Sequence, residues 1–163
     1  LLVLMVSYVF TGGMIASFEK SLSAVIALVA YMPMLMGTGG NSGTQSSTVI
    51  ITGMATGDLE LSDVLRVLWK EFRIGIIVGI CVSILNYMRI VAFDHNGSLV
   101  ALTVCLSMVL IVIIAKCIGA LLPMIAKRIG IDPALIAGPM MASLTDMVAL
   151  GTYFTMARLV LKI

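Results

Sequence analysis

Charged residues are scarce in this sequence. Asp, Glu, Lys and Arg make up 11% of its 163 residues, well below their share of an average soluble domain, whereas 61% of the residues are hydrophobic. The mean hydropathy is +1.17. These values exclude an ordinary soluble domain and indicate an integral membrane protein.

Thiols, imidazoles and basic patches are almost missing as well. The three cysteines lie in apolar segments without Cys-x-x-Cys spacing, which excludes a disulfide framework and a thiolate metal site. His95, the only histidine, falls in a polar turn and is expected to be solvated. A net charge of +2 without a basic, aromatic-interleaved patch excludes nucleic-acid binding. The glycine-rich stretch lacks the Gly-Lys-Ser/Thr ending of a nucleotide loop, and we expect a protein that is not an enzyme.

The charges that are present fall into short islands, and the apolar segments between them are long enough to cross a bilayer as helices. We predict spans at 1–18, 22–54, 71–93, 98–126 and 133–160. The fold class is therefore an all-α membrane protein with five transmembrane helices per subunit. Pro33 and several glycines predict that the second span tilts, bends or breaks. The mixed segment 58–73 suits an amphipathic interfacial helix with Ser62 as its N-cap, or a simple connector.

The chain starts at Leu1 inside an apolar run, with no signal peptide visible in it. We expect residues 1–163 to be one transmembrane domain of a longer protein. An odd number of spans puts the ends on opposite sides, and the distribution of Lys and Arg slightly favours a cytoplasmic start. In that orientation the basic residues on the inside are Arg66, Lys70, Arg73, Lys127 and Arg128.

The second span contains a polar, glycine-rich stretch at residues 33–45. Polar groups in hydrocarbon need protein partners or water, so this stretch either lines a pore or forms a close helix contact. Asn41 and Gln45 continue a helix face that passes through Gly37, and their amides could reach ion-bound water or bond to a neighbouring helix. Gly39 and Gly43 have the spacing of a small-residue packing contact, and both interpretations stay open here.

Asp146 is the only charge between Pro133 and Ala157, near the middle of an apolar helix. An intramembrane carboxylate is functional by default, and it needs a cation, a water-filled cavity or a partner such as Lys116. Lys116 could instead snorkel or face a cavity, and we favour a structural role for it. Buried pairing of Asp146 with Lys116 would fit a structural or sensory membrane module.

Small residues lead along one helix face to this carboxylate. Ala142 and Gly138 precede Asp146 by one and two turns, so their carbonyls could reach a hard cation such as Mg²⁺, or they could only permit helix packing. Asp132 before Pro133 has the form of a helix N-cap. A continuous helix from there would put Asp132 and Asp146 on one face, with one carboxylate at the mouth of a pore and the other at its middle.

Two stretches resemble the MgtE family of magnesium channels. The first is Pro33 followed by Gly37-Thr-Gly-Gly-Asn-Ser-Gly-Thr-Gln45. The second is Asp132-Pro-Ala-Leu-Ile-Ala-Gly-Pro139 with Ser143-Leu-Thr-Asp146, followed by Tyr153 and Arg158. The resemblance covers the whole chain.

The resemblance implies a homodimer in which the second and fifth spans of both subunits line one pore. It implies a Mg²⁺ site at Asp146 and the Ala142 carbonyl, with Asp132 at a cytoplasmic-side ion position. Members also carry a cytosolic amino-terminal domain and a CBS-domain pair that close the pore, and neither is in this chain. A member can carry a polar residue where Gly138 stands.

We therefore expect a magnesium channel domain in a bacterial plasma membrane, dimeric, with Asp146 as the main ion-binding carboxylate. Asn41, Gly37, Gln45 and Gly138 are the predicted pore-lining residues. Mn²⁺, Co²⁺ and Ca²⁺ use overlapping ligands and stay open as further cargo. The alternative is an ion- or proton-coupled secondary transporter, with a midplane site at an interrupted second span.

Overall fold

The computed structural model describes residues 2–17, 27–94 and 98–162. Within these ranges the chain forms five α-helices, two 3₁₀ turns and one π-helical turn, and no strand. The helices are α1 (Leu2–Ser17), α2 (Ala27–Thr56), α3 (Val64–Arg89), α4 (Ser98–Arg128) and α5 (Pro139–Leu161). The predicted all-α fold class is confirmed for this part of the chain.

Three helical segments are long and apolar enough to cross a membrane. They are Leu61–Asp94, Ser98–Arg128 and Pro139–Leu161, and they correspond to the third, fourth and fifth predicted spans. α1 has only 16 residues, and α2 has 30 residues but many glycines and hydroxyl side chains that lower its hydropathy. Bilayer crossing by α1 and α2 stays a prediction. The junction between them and the turn containing His95 lie outside the described residues.

α2 is helical without interruption from Ala27 to Thr56, through Pro33 and the glycine-rich stretch. The break considered for the second span is therefore wrong within these residues. The midplane site of the secondary-transporter alternative relied on such an interruption, and α2 does not provide it.

The segment 58–73, predicted as an amphipathic interfacial helix or a simple connector, is helical from Leu61 onward and is continuous with the third span, while its place at the interface stays a prediction. A 3₁₀ turn at Leu61–Asp63 leads directly into α3, which continues through the predicted start of the third span. The N-cap is Glu60 instead of Ser62, and the Asp63 carboxylate accepts a hydrogen bond from the Glu60 amide at 3.0 Å. Leu65, Leu68 and Trp69 therefore lie on the same continuous helix as the apolar part of α3.

The last predicted span is not one continuous helix, since a short 3₁₀ turn precedes α5. Asp132 does act as an N-cap, since its Oδ1 accepts from the Ala134 amide at 2.9 Å, but the element it caps is the 3₁₀ turn Pro133–Leu135. α5 begins only at Pro139. A residue before proline is disfavoured in the α region, and Gly138 has φ −98° and ψ −117°. Asp132 and Asp146 do not share one continuous helix, so the prediction that they share a helix face is wrong.

α4 lies at the centre and packs against α2, α3 and α5, while α1 packs on α5. An apolar cluster that includes Leu35, Met108, Ile111 and Tyr153 joins α2, α4 and α5. A second cluster joins α2, α3 and α4 near the other end of the molecule, and contains Ile50, Met54, Val67, Ala120 and Met124. α2 thus contributes to both clusters, and its glycine-rich middle lies between them.

Close helix packing explains many of the glycines. A Cβ on Gly75 would lie 2.9 Å from Ile113 Cα, and one on Gly79 would lie 3.1 Å from Val109 Cα. Ser83 continues the same line and donates a hydrogen bond to the Cys105 carbonyl at 2.9 Å. Gly75, Gly79 and Ser83 thus form a close-packing ridge of α3 that faces α4.

Candidate ion site between helices α2 and α5

An open groove of about 630 Å³ lies between α2 and α5. Four of the predicted metal-binding and pore-lining residues line it: Gly37, Asn41, Ala142 and Asp146. Gly40 and Thr44 also line it and were not predicted, although they lie three residues after Gly37 and Asn41 and so on the same helix face. The remaining lining residues are Val29, Met32, Pro33 and Met36, which make one end of the groove apolar.

The Asp146 carboxylate is half-buried at the wall of this groove. Only two ion pairs occur among the described residues, Arg89 with Asp94 and Lys116 with Glu71, and neither involves Asp146. The possible pairing of Asp146 with Lys116 is therefore wrong. Within the described part of one subunit, the negative charge of Asp146 has no cationic side chain to balance it.

Thr145 fixes the direction in which Asp146 points. Its hydroxyl donates to the Met141 carbonyl at 2.8 Å and to the Ala142 carbonyl at 2.9 Å. Its Cγ2 lies against Gly43, where an added Cβ would approach it to 2.8 Å. Thr145 thus seats α5 on α2, and the next residue along the helix faces the groove.

The two faces of α2 have different roles. Gly39 and Gly43 face the neighbouring helices, because a Cβ on Gly39 would lie 3.0 Å from Ile111 and 3.6 Å from Ala149. Gly37 has open space where a Cβ would be. Asn41 is exposed and, among the described residues, its side chain makes no hydrogen bond. The small-residue contact is confirmed for Gly39 and Gly43, whereas the Asn41 amide is not used to join helices within the described subunit.

Three of the predicted site residues lie outside the groove. Gln45 is exposed one turn beyond Asn41, Gly138 is exposed at the N-cap of α5, and Asp132 is exposed at the 3₁₀ turn before it. Across the described ranges, no group of three or more His, Cys, Asp or Glu side chains comes close enough to hold a metal ion. The groove in the described chain therefore offers a single carboxylate beside amide, hydroxyl and carbonyl oxygens, a set suited to an ion that keeps much of its water.

The groove lies in a part of the chain that matches a known protein family. The family model MgtE, described as a divalent cation transporter, matches residues 32–156. The chain belongs to the MgtE family. The match includes every residue of the groove except Val29, and the resemblance identified in the sequence is confirmed.

Two bacterial relatives of this MgtE chain are each named "Magnesium transporter MgtE". The protein of Thermus thermophilus is 41% identical over 162 residues, which are 99% of this chain and 36% of the relative. The protein of Bacillus subtilis is 33% identical over 157 residues, which are 96% of this chain and 35% of the relative. The chain thus spans about a third of the length of the curated relatives that it matches.

The MgtE chain also contains a buried polar triad, formed by Ser46 of α2, Glu71 of α3 and Lys116 of α4. Ser46 donates to Glu71 Oε2 at 2.6 Å and accepts from Lys116 Nζ at 3.3 Å. Lys116 Nζ lies 3.7 Å from Glu71 Oε2, and the two side chains are only 8% and 6% exposed. The structural role favoured for Lys116 is thereby supported, with Glu71 as its partner.

Sequence reasoning missed Glu71, because it counted this residue with the charged connector. A signal was present: Val67, Glu71, Gly75 and Gly79 recur every four residues and are all buried on one stripe of α3. A carboxylate on a buried stripe requires a cation on the facing helix. Lys116 is the cation that pairs with Glu71, and Asp146 has no such partner among the described residues.

Proposed function

We propose that this chain is the pore domain of a magnesium channel that acts as a homodimer in a bacterial plasma membrane. The observation that carries the proposal is the Asp146 carboxylate, which faces an open groove and has no cationic partner among the described residues. Relatives named as magnesium transporters supply the choice of cargo. Mg²⁺ is the transported ion, and Mn²⁺, Co²⁺ and Ca²⁺ are further candidates.

A second copy completes the site. The groove is open on one side, and a two-fold axis passing along it brings two copies of Asp146 to face one another. Two carboxylates balance the charge of one divalent cation, whereas without a cation they repel each other. The dimer explains how a half-buried acid at membrane depth is stable, and it predicts that Mg²⁺ stabilises the protein.

The ion passes Asp146 with most of its water attached, because Mg²⁺ loses water reluctantly. The Asn41 amide and the Thr44 hydroxyl line the groove beside Asp146 and accept or donate hydrogen bonds to that water. The Ala142 carbonyl already accepts a hydrogen bond from Thr145, so it serves the hydration shell instead of binding the bare ion.

The predicted residues outside the groove take positions further along the ion path. Asp132, exposed at the turn before α5, attracts cations to the cytoplasmic mouth. Gly138 leaves backbone oxygens accessible at the N-cap of α5, and Gln45 extends the polar face of α2 beyond Asn41. This chain covers 36% and 35% of the two relatives, and we infer that the regulatory cytosolic domains of the full-length protein lie outside the matched part.

The test is Asp146→Asn, which keeps the size of the side chain and removes its charge. Mg²⁺ flux into liposomes and the rise of the melting temperature with Mg²⁺ are measured for the full-length protein, with Asp58→Asn as the control at an exposed acid outside the groove. We expect Asp146→Asn to lower the Mg²⁺ affinity seen in both measurements by at least about tenfold, equivalent to about 1.4 kcal/mol. The control should change neither measurement. Unchanged flux and unchanged stabilisation in Asp146→Asn would refute the proposal.

The same liposomes separate a channel from a coupled carrier. A channel conducts Mg²⁺ under an electrical gradient alone and gives unitary openings under voltage clamp. Flux that requires a pH gradient would instead favour the secondary transporter.

A further inference from the structure

A second charged surface lies at the start of α3, away from the groove between α2 and α5. Arg66, Lys70 and Arg73 follow one another at helical spacing and are all exposed, and no ion pair of theirs occurs among the described residues. Together with Trp69 they line a shallow cleft of about 500 Å³, which Ile74 and Ile77 extend along the helix. Three unpaired cations on one face form a site for an anion.

An apolar groove runs along the other side of Trp69. It lies between α3 and α4 and has a volume of about 580 Å³. Its walls include Leu65, Phe72, Ile114 and Cys117, and Trp69 stacks on Phe72 with 5.7 Å between ring centroids. The indole thus separates a basic surface from an apolar groove, and these two surfaces match the two halves of an amphiphile.

The level of this surface relative to the bilayer can be worked out from the length of the helix. Leu61–Asp94 has 34 residues, about 51 Å of helix at 1.5 Å per residue, against a hydrocarbon core of about 30 Å. Arg73 is the last charge before the uncharged stretch 74–88. The uncharged stretch gives only about 22 Å of helix, so we place Arg73 at the edge of the hydrocarbon core, with its side chain extending outward, and the turns back to Arg66 at the level of the headgroups, where Trp is enriched and where phospholipid phosphates lie.

We propose that this surface is a binding site for an anionic phospholipid. The headgroup phosphate and its additional negative charge lie against Arg66, Lys70 and Arg73, and an acyl chain occupies the groove between α3 and α4 on the other side of Trp69. Charge selects the headgroup, and the apolar wall selects a lipid over a soluble anion. A bound lipid fills the space at the edge between α3 and α4, the helix on which α3 packs most extensively.

Trp69 is the only tryptophan of this chain and serves as the reporter. The full-length protein is placed in vesicles that contain phosphatidylglycerol or phosphatidylcholine with brominated acyl chains, at equal bromine content. The fluorescence of Trp69→Phe is subtracted to isolate this residue. We expect brominated phosphatidylglycerol to quench Trp69 at least twofold more strongly than brominated phosphatidylcholine. Equal quenching by the two lipids would overturn the proposal.

Charge variants identify the cations responsible. Removing all three charges, by Arg66→Gln, Lys70→Gln and Arg73→Gln together, should abolish the preference for phosphatidylglycerol. A protein that keeps its charge through Arg66→Lys and Arg73→Lys should retain the preference, and this variant shows that the surface tolerates substitution. A preference that survives the triple neutralisation would overturn the assignment.

Two further variants complete the design. Arg128→Gln, Arg158→Gln and Lys162→Gln together remove the same number of exposed charges elsewhere, and they should leave the preference unchanged. Loss of the preference in that control would mean that overall charge, not this site, attracts the lipid. Cys117→Phe fills the apolar groove and should weaken quenching by both lipids, and undiminished quenching would overturn the placement of the acyl chain.

Discussion

Removal of one charge from the buried triad should lower the unfolding free energy more than removal of both charges. Lys116→Met leaves the Glu71 carboxylate, 6% exposed, with only the Ser46 hydroxyl as a donor. Breaking a buried pair in this way costs about 3–5 kcal/mol of unfolding free energy, because an uncompensated charge stays buried. The double variant Glu71→Gln with Lys116→Met keeps an amide for Ser46 and buries no charge, and we expect it to cost at most about 2 kcal/mol.

Lys116→Met and the double variant should differ in unfolding free energy because of the interaction between the two charges. A double-mutant cycle measures this interaction directly. Glu71→Gln alone leaves the Lys116 ammonium 3.3 Å from Ser46 and without a carboxylate, so it should be damaging as well. If each single variant costs about 3–5 kcal/mol and the double variant at most about 2 kcal/mol, the coupling free energy should be at least about 4 kcal/mol. The sign should be stabilising for the natural pair.

The assay is reversible unfolding in mixed detergent micelles, followed by helicity. The exposed pair Arg89 and Asp94 provides the matched control, since its atoms approach to 3.3 Å but its side chains are 45% and 25% exposed. Solvent screens such a pair, and its coupling should stay below about 1 kcal/mol. A coupling for Glu71 and Lys116 no larger than that of the control would refute the reasoning, because it would mean that water reaches the triad.

Three glycine substitutions test the packing and the site. Gly119→Ala would drive a methyl group into the Gly43 backbone, with Gly43 Cα 3.0 Å away, and should lower the unfolding free energy by about 1–3 kcal/mol. Gly37→Ala meets open space and should be neutral or stabilising by up to about 1 kcal/mol, so equal stability of the two variants would contradict the packing of α2 on α4. An added Cβ on Gly40 lies 3.9 Å from Asp146 Oδ1, so the branched side chain of Gly40→Val should cover the carboxylate. We expect this variant to lower Mg²⁺ affinity by about tenfold, or about 1.4 kcal/mol, measured by the rise of the melting temperature with Mg²⁺. Undiminished stabilisation by Mg²⁺ would place the ion elsewhere.

The triad and the groove are related through the glycine-rich middle of α2. Gly43 packs on Thr145 of α5, and Ser46, one turn later, bonds to Glu71 of α3. α2 is therefore fixed between helices on one side and open to the groove on the other. A shift of α2 away from α4 would disturb the triad and the site together.

Several features could be predicted from local sequence alone. The α3 ridge of Gly75, Gly79 and Ser83 follows from small residues at helical spacing. The position of Gly37 and Asn41 on one face of α2 follows in the same way. The division before α5 was also readable, because Gly138 before Pro139 is a recognised break in a helical pattern, and the prediction of one continuous helix gave too little weight to it.

Other features could not be read from the chain. Asp146 was the only acidic partner that the sequence analysis considered for Lys116, whereas the structure pairs Lys116 with Glu71, at the start of the third predicted span. The choice between them depends on how α3 and α5 are placed around α4, and a rotation of one helix would reverse it. Hydropathy and periodicity carry no information on that rotation, since they are properties of single helices.

The sequence by itself determined that this protein is a helical membrane protein of the MgtE family, because burial of apolar side chains and backbone hydrogen bonding are set locally. Tertiary structure decided which charges neutralise one another. Only the packing of α2, α3 and α4 brings Ser46, Glu71 and Lys116 together, and that pairing leaves Asp146 alone on an open groove. An ion pair or a hydrogen bond needs its partners within a few ångströms, so the residues that balance a buried charge are fixed by the fold and not by the sequence pattern.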